Sequence, residues 1–265
     1  MKMNQTVVLI LFACAPALAN NSIVGGKSVS ANEWIAKTVV ALVSVSNQGE
    51  ALCTASLVAP DLAVTAAHCV TNPGHVPVTG LGLIFNTDVK KADASSIRRI
   101  DHALVPAEWR AGGTASRNTF DVALVHFAGG LPTGYQPSDL LPRDQSFSVG
   151  EKVELAGYGI TNARTNAGAG RLRKTTVAVL NPQFSATEVS FDQSQGGGAC
   201  HGDSGGPAFI VKKSHPYLFG ITSRGTGNCD QDVIYTKIAS YWDWFHQAAS
   251  LLRGKNPGIR SHSEI

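Results

Sequence analysis

Short apolar runs separated by polar turns fill most of the chain between residues 39 and 238. Valine, isoleucine, leucine and threonine concentrate in the runs, and glycine, proline and asparagine lie between them. Many short runs with frequent turn residues are typical of an all-β sandwich or barrel. The pattern predicts twelve strands, near 39–45, 51–58, 62–67, 81–85, 95–104 and 122–127 in the first half and near 153–158, 172–180, 187–191, 208–211, 217–223 and 233–238 in the second.

Four segments depart from this strand pattern. Residues 129–150 are polar and contain glycine and proline, which predicts a connector between two halves. Residues 161–170 are rich in glycine, alanine and asparagine, and we expect an exposed loop there. Apolar residues then recur at helical spacing, which predicts one docked helix over 239–252. A polar tail, 253–265, follows it.

The first residues carry an export signal. Lys2 precedes the apolar run Val7–Ala13, and Ala17–Ala19 supplies a small-residue cleavage site, so the pattern predicts a signal peptide over 1–19. The run is too short to cross a bilayer as a helix. An alternative is a bacterial lipoprotein box, which would place a lipid on Cys14. In either case we expect a secreted or extracytoplasmic protein, with the periplasm included.

Composition excludes some classes of partner. The 265 residues are enough for one large β domain or two smaller ones. Only 15% of the residues are charged, and a formal net charge of +3 is too weak to indicate nucleic acid or a membrane surface. We expect a monomer with neither partner, unless Cys14 is lipidated.

Four cysteines remain after the signal: Cys53, Cys69, Cys200 and Cys229. An even number in an exported chain favours disulfides over free thiols or a metal site. Counting alone leaves three pairings open. No CxxC spacing indicates zinc, and we predict neither a metal nor a cofactor.

The segment Gly202–Pro207 is the strongest candidate for chemistry. A serine hydroxyl is a poor nucleophile, so an enzyme that uses one must expose it and stabilise the oxyanion that follows. Glycines on both sides of Ser204 permit a backbone shape that side chains would block. The N–H groups of Gly202 and Ser204 are then free to point into one small space. The same letters also fit the nucleophile elbow of α/β-hydrolases.

A serine nucleophile needs a base and a carboxylate that orients the base. The sequence predicts His68 at the end of one apolar strand and Asp121 at the start of another. Either residue alone has a simple structural interpretation. Their joint occurrence with Ser204 favours catalysis.

Four motifs occur in the order found in the trypsin-like (chymotrypsin-fold) serine proteases, and the chain resembles that family from about Ile23 to Leu252. The resemblance implies two six-stranded antiparallel β-barrels, with the active site in the cleft between them and a C-terminal helix. The barrels would span about 23–128 and 149–238, within a peptidase domain over 23–252. The motifs are Ile23-Val24-Gly25-Gly26, Thr65-Ala66-Ala67-His68-Cys69, Asp121-Val122-Ala123-Leu124 and Gly202-Asp203-Ser204-Gly205-Gly206-Pro207.

The resemblance also implies roles for single residues. Ser204 would be the nucleophile, His68 the general acid and base, and Asp121 the carboxylate that fixes the imidazole tautomer. The N–H groups of Gly202 and Ser204 would form the oxyanion hole. Further roles follow for Ser223 as support of the triad carboxylate, Gly225 as partner of the substrate backbone, and the disulfides Cys53–Cys69 and Cys200–Cys229.

Relatives are activated by cleavage, which implies a cut between Ser22 and Ile23. The freed Ile23 ammonium would pair with Asp203 and organise the oxyanion site. Residues 20–22 would be a short propeptide. Because Ser22 is neither Lys nor Arg, an activating protease with tryptic specificity is not expected.

The substrate pocket departs from trypsin itself. Gly198 stands where trypsin has an aspartate, and Val233 stands where relatives often have glycine. These residues predict protein or peptide substrates with a small or medium uncharged side chain before the scissile bond. An alternative is that Asp230 or Asp232 turns inward and restores a preference for Lys or Arg.

Two more residues would lie near the pocket. Arg224 replaces the tryptophan that relatives usually have and removes an aromatic wall from the neighbouring subsite. His201 would lie at the pocket mouth, where an exposed side chain is a simpler interpretation than a substrate contact.

Two other functions fit the sequence less well. An α/β-hydrolase needs parallel strands alternating with helices before the elbow, whereas these runs are β throughout. A catalytically silent relative acting as a binding module usually lacks a triad residue, whereas this chain has all three.

Overall fold

The computed structural model describes residues 23–71, 78–112 and 115–254. The predicted signal peptide and propeptide, which together cover 1–22, lie outside the described residues with the lipidation alternative. Most of the predicted polar tail, 253–265, lies outside them as well.

The first half of the chain forms a closed antiparallel barrel. After a two-residue strand β1 (Lys27–Ser28), its strands pair in the order β2-β3-β4-β7-β6-β5. Leu42, Leu57, Leu83 and Leu124 lie inside it with at most 2% exposure, and burial of each contributes about 1.5–3 kcal/mol. The strands are β2 (Val39–Ser46), β3 (Gly49–Leu57), β4 (Leu62–Thr65), β5 (Val78–Ile84), β6 (Ile97–Leu104) and β7 (Ala123–Phe127).

The second half forms another antiparallel ring of six strands. They pair in the order β9-β10-β13-β12-β11-β8, and β8 pairs with β9 to close the ring. The prediction of an all-β fold with two six-stranded barrels is confirmed. The strands are β8 (Lys152–Gly157), β9 (Arg173–Asn181), β10 (Glu188–Asp192), β11 (Pro207–Lys212), β12 (His215–Gly225) and β13 (Asp232–Lys237).

The amino-terminal segment belongs to the second barrel, although the predicted first barrel started near residue 23. Strand β1 pairs with β9, and Val24 forms a bridge with Gly198. Two residues are too short for a periodic signal, so the strand pattern could not predict β1.

Two predicted strands differ from the structure at their ends. The run near 62–67 stops at Thr65, and Ala67–Thr71 form a short helix α1, so His68 lies on a helix rather than at a strand end. The run near 208–211 extends by one residue at each end, since β11 spans Pro207–Lys212. Apolar character alone does not mark the residue at which a strand ends.

The predicted C-terminal helix is present. A 3₁₀ turn over Ile238–Tyr241 leads into helix α2 (Trp242–Leu252), which packs on β6 and β7 and buries Phe245 and Ala248. Among the residues with described coordinates, no helix combines the length and the apolar character needed to cross a membrane.

Polar and aromatic contacts join the two barrels. The Tyr158 hydroxyl donates to the Asn86 carbonyl at 2.9 Å, and the Trp34 and Phe209 rings meet edge to face at 4.8 Å. Because aromatic contacts of this kind are directional, they help to fix the two barrels against each other.

Candidate active site

The turn around Ser204 is pressed against the first barrel. Thr54 of β3 donates its backbone N–H to the Ser204 carbonyl at 2.8 Å and its hydroxyl to the Gly202 carbonyl at 3.0 Å. A Cβ on Gly205 would lie 2.0 Å from the Thr65 hydroxyl oxygen, and Gly205 has φ +78°. Only glycine permits this conformation and this approach.

Three polar groups of the turn are unused. Within the described part of the chain, the N–H groups of Gly202 and Ser204 donate to no acceptor, and the Ser204 hydroxyl has no hydrogen-bond partner. Asp203 between them is tied by its own N–H to Cys200. The turn therefore offers two backbone donors and a hydroxyl to a ligand.

His68 and Asp121 are joined by two hydrogen bonds. Nδ1 of His68 lies 2.8 Å from one Asp121 carboxylate oxygen, and the His68 backbone N–H donates to the other at 3.0 Å. The Ser223 hydroxyl also donates to Asp121, at 2.7 Å, and the Thr236 hydroxyl donates to the Asp121 carbonyl at 2.9 Å. A carboxylate with these donors directs Nε2 of His68 away from itself.

Burial and pairing have opposite effects on the pKa values of His68 and Asp121. Burial raises the pKa of Asp121, but the His68 charge and the hydrogen bonds from His68 and Ser223 outweigh it and hold that pKa below its usual value. Burial lowers the pKa of His68, and the charge and hydrogen bond of Asp121 raise it above its usual value. Asp121 is therefore ionised at neutral pH, and His68 titrates above its ordinary range.

The Ser204 turn and the His68 helix meet at a disulfide. Cys69, next to His68, is bonded to Cys53, and its Sγ lies 3.6 Å from the Ser204 carbonyl oxygen. Ser223 lines the cavity that contains His68 and also the cavity that contains Ser204. Among the described residues no hydrogen bond joins Ser204 to His68, and such bonds often form only when substrate is present.

A cavity of about 220 Å³ opens beside Ser204. Its walls include Gly225, Val233 and the Cys200–Cys229 disulfide, and exposed His201 lies at its edge. Of the described residues that line it, none is acidic.

Gly198, predicted as the base of the pocket, does not line this cavity. The buried Gln193 side chain lies against Gly198. The Gln193 amide accepts from the Ala199 N–H at 2.6 Å and donates to the Ala199 carbonyl at 3.3 Å. A Cβ on Gly198 would lie 2.1 Å from the Gln193 amide. A side chain at position 198 therefore requires loss of this contact.

Asp203 is buried, and among the described residues no cation forms an ion pair with its carboxylate. Its carboxylate accepts from the N–H groups of Gly159 and Cys200, both at 2.8 Å. Burial raises its pKa to about 7, against the effect of these bonds and the Arg173 charge. Ile23 is also buried, at 1% exposure.

The order of strands, the site motifs and one comparison agree. The sequence model of the Trypsin family matches residues 23–245. The chain belongs to the trypsin family.

Curated members of the trypsin family resemble this chain at low identity. Transmembrane protease serine 5 of Homo sapiens is 26% identical over 270 residues, which cover 92% of this chain and 55% of that protein. Hepatocyte growth factor activator serine protease of Homo sapiens is 27% identical over 257 residues, or 84% of this chain and 36% of that protein. This chain thus spans between about a third and just over half of these relatives.

Both disulfides implied by the resemblance to the trypsin family are present, Cys53–Cys69 and Cys200–Cys229. Each lies beside a histidine, His68 or His201, so each group contains residue types that bind metals. Sulfur atoms in a disulfide cannot act as thiolate ligands. The two groups are therefore not metal sites while the disulfides are intact.

Arg224, which stands where the trypsin family usually has tryptophan, lines both the cavity that contains His68 and the cavity that contains Ser204, and a buried ion pair holds its guanidinium. Its side chain is 8% exposed and pairs at 2.8 Å with Glu188, which is fully buried. The sequence motifs do not indicate this pair. The available signal was a charged residue in each of two apolar strands, because a buried charge needs a partner.

The two alternative pocket residues, Asp230 and Asp232, are exposed. Neither lines the cavity beside Ser204, and Asp230 accepts a hydrogen bond from Thr226 at 3.3 Å.

Proposed function

We propose that the protein is a serine endopeptidase that hydrolyses peptide bonds through an acyl-enzyme at Ser204. The supporting observation is that Asp121 holds Nδ1 of His68 while, within the described part of the chain, the Ser204 hydroxyl and two backbone N–H groups of its turn have no hydrogen-bond partner. The whole protein's activity and substrates are part of this proposal.

In the proposed mechanism, Nε2 of His68 takes the Ser204 proton as the oxygen attacks the substrate carbonyl. The N–H groups of Gly202 and Ser204 bind the resulting oxyanion, at about 3 kcal/mol per donor in comparable enzymes. His68 then donates the proton to the leaving amine. A water, activated by the same imidazole, releases the acyl group.

We propose that cleavage before Ile23 activates the enzyme. Ile23 and Asp203 are both buried, and burial disfavours the Asp203 charge, so a new ammonium at Ile23 would stabilise the ionised carboxylate. Loss of such a buried pair typically costs about 3–5 kcal/mol, enough to release the Gly202 turn.

A serine-directed sulfonyl fluoride tests both proposals. We expect it to label the processed protein at Ser204, with Ile23 as the first residue of the labelled species, as read by mass spectrometry. A processed protein that never reacts would support the alternative of a silent, binding homologue. Labelling of a chain that still begins before Ile23 would contradict the activation step alone.

We propose a preference for small or medium uncharged side chains before the scissile bond. Val233 fills one wall of the cavity, and its Cγ2 would lie 3.5 Å from a Cβ on Gly225. No described lining residue is acidic, so a Lys or Arg side chain would lose its water without gaining a counter-charge.

A peptide library cleaved by Val233→Gly protein checks this preference. The wider pocket should raise the ratio of cleavage after leucine or phenylalanine to cleavage after alanine, on the order of tenfold. Val149→Gly is the control, because Val149 is 69% exposed and outside the cavity. Predominant cleavage after Lys or Arg by the unmodified enzyme would instead favour Asp230 or Asp232 as the determinant.

Activity should fall in acid. His68 must be neutral to accept the Ser204 proton, and its pKa is raised by Asp121. The acid limb of kcat/KM should therefore have its midpoint above pH 6.5, the ordinary value for histidine. A pH–rate profile that is flat from about pH 5 to 8 would contradict His68 as the base.

We propose that the protein acts outside the cytoplasm, on protein or peptide substrates. Two disulfides in one trypsin-family domain are typical of oxidising compartments. Reducing and non-reducing electrophoresis of protein taken from culture medium, periplasm and cytoplasm tests this proposal. Oxidised protein found only in the cytoplasm would contradict it.

A further inference from the structure

A buried ion pair joins β10 to β12 beside the active-site carboxylate. Nη1 of Arg224 lies 2.8 Å from Glu188, whose side chain has no solvent exposure. Burial raises the pKa of Glu188, but hydrogen bonds from Arg224, Ser185 and Thr119 outweigh burial and lower that pKa to about 2. Glu188 is therefore ionised at neutral pH, opposite a guanidinium that is always charged. Such a pair is weak evidence for stability, because two charges lose their water.

Glu188 holds the backbone that leads to Asp121. Its carboxylate accepts from the N–H of Asn118 at 2.7 Å and from the N–H of Thr119 at 3.2 Å. Asn118 has φ +50° and Phe120 has φ +57°. The left-handed region is unfavourable for a bulky residue such as Phe120. The segment therefore has a shape that needs external support, and the Glu188 carboxylate supplies two of its hydrogen bonds.

Arg224 holds the same segment from the other side. Nη2 donates to the Ser116 carbonyl at 2.6 Å, and Nη1 donates to the Thr119 hydroxyl at 3.0 Å. The Thr119 hydroxyl donates in turn to Glu188 at 2.9 Å. The ion pair and this segment form one hydrogen-bonded unit.

Arg224 also sets the direction of the Ser223 hydroxyl. Nη1 lies 3.1 Å from Ser223 Oγ, and a guanidinium can only donate. Ser223 Oγ must accept, so its single proton is left for the Asp121 carboxylate at 2.7 Å. Nη1 has two protons and contacts three acceptors, so one proton is shared.

We propose that Glu188 and Arg224 are positioning residues for Asp121, and through it for His68. They act by two routes: Glu188 shapes the backbone before Asp121, and Arg224 orients the Ser223 hydroxyl toward it. The inference rests on the proposed function, in which Asp121 orients the catalytic imidazole. Neither side chain needs to touch substrate.

Arg224→Met removes the donors and keeps the apolar stem. Because the Ser223 hydroxyl is then no longer polarised by Arg224, it donates a weaker hydrogen bond to Asp121, which becomes a stronger acceptor for His68. We expect kcat to fall on the order of tenfold, with a smaller change in KM. We also expect the midpoint of the acid limb of kcat/KM to rise by about half a pH unit.

A double-mutant cycle tests the route through Ser223. In a Ser223→Ala background, Arg224→Met should shift the midpoint much less than it does alone, because coupled residues are not additive. Full additivity would contradict this route. Arg224→Lys retains the charge and should recover part of kcat, and it also serves if Arg224→Met does not fold.

Two controls separate positioning from stability. Leu83→Ala removes a fully buried side chain of the first barrel, and Arg171→Met removes an exposed ion pair with Asp88. Both should leave the midpoint unchanged, although Leu83→Ala lowers the unfolding temperature. If Arg224→Met lowers the unfolding temperature but leaves kcat and the midpoint unchanged, the pair is only structural and the inference is wrong.

The pKa of His68 can also be measured without turnover. NMR titration of labelled histidine in the Ser204→Ala protein, with and without Arg224→Met, should show the same rise of about half a pH unit. If Arg224→Met raises the His68 pKa but the unmodified protein hydrolyses no peptide, the inference is supported and the proposed function is refuted. An unchanged His68 pKa beside full wild-type activity would refute the inference alone.

Discussion

Ser204→Ala is expected to lower kcat about a millionfold, the loss measured when the nucleophile of an unrelated serine protease is removed. The fold should not change, because the Ser204 hydroxyl has no partner among the described residues. We expect the free energy of unfolding to change by less than about 0.5 kcal/mol. Peptide hydrolysis and thermal unfolding of the same preparation measure the two effects together.

The control for this change is Ser250→Ala. Ser250 lies on α2, and its hydroxyl donates to the His246 carbonyl at 3.1 Å, far along the chain from the cleft. It should leave kcat unchanged. Turnover by Ser204→Ala close to that of the unmodified enzyme would refute the nucleophile assignment, whatever the effect on stability.

The strands could be predicted from sequence because their signal is local. Alternating or continuous apolar residues mark β2 and β11 wherever they pair in space, and the turn residues between them mark their ends. Strand β1 and helix α1 lacked such a signal, since two and five residues are too few to establish a strand or a helix periodicity. Their positions depend on tertiary contacts, namely the edge of β9 and the Cys53–Cys69 disulfide.

Only the candidate-site residues that lie in a motif of the trypsin family could be predicted from the sequence. Ser204, His68 and Asp121 each lie in a short recognisable motif. In the fold, Nδ1 of His68 lies 2.8 Å from an Asp121 carboxylate oxygen. Gln193 and Glu188 lie in no such motif. Their roles follow from what they contact, Ala199 and Arg224, and those contacts form only when distant strands pack.

The difference between residues found from motifs and residues found from contacts has a physical basis. A residue that performs chemistry is restricted in type, so its neighbours in sequence are restricted too. A residue that supports it can be replaced if the partner changes as well, as with the arginine at position 224 and the buried glutamate that it requires. Support residues are therefore found from contacts and burial.

Asp121→Asn is expected to lower kcat about ten-thousandfold, the loss known for the corresponding change in a related enzyme of this family. One Asp121 oxygen accepts from His68 and Ser223, and the other accepts from the His68 N–H. An amide has one accepting end, so an NH₂ group must face one of these donors. If it faces Nδ1, it donates and selects the tautomer with a proton on Nε2, which cannot accept the Ser204 proton.

Asp101→Asn is a matched control for this substitution, because Asp101 pairs with Nδ1 of His126 at 2.6 Å outside the cleft. It removes the same kind of bond and should leave kcat unchanged. Nitrogen-15 NMR of labelled histidine in the Asp121→Asn protein should show the His68 proton on Nε2. A loss of activity with the proton still on Nδ1 would mean that Asp121 acts through its charge rather than through the tautomer. A loss smaller than about tenfold would remove Asp121 from the proposed triad.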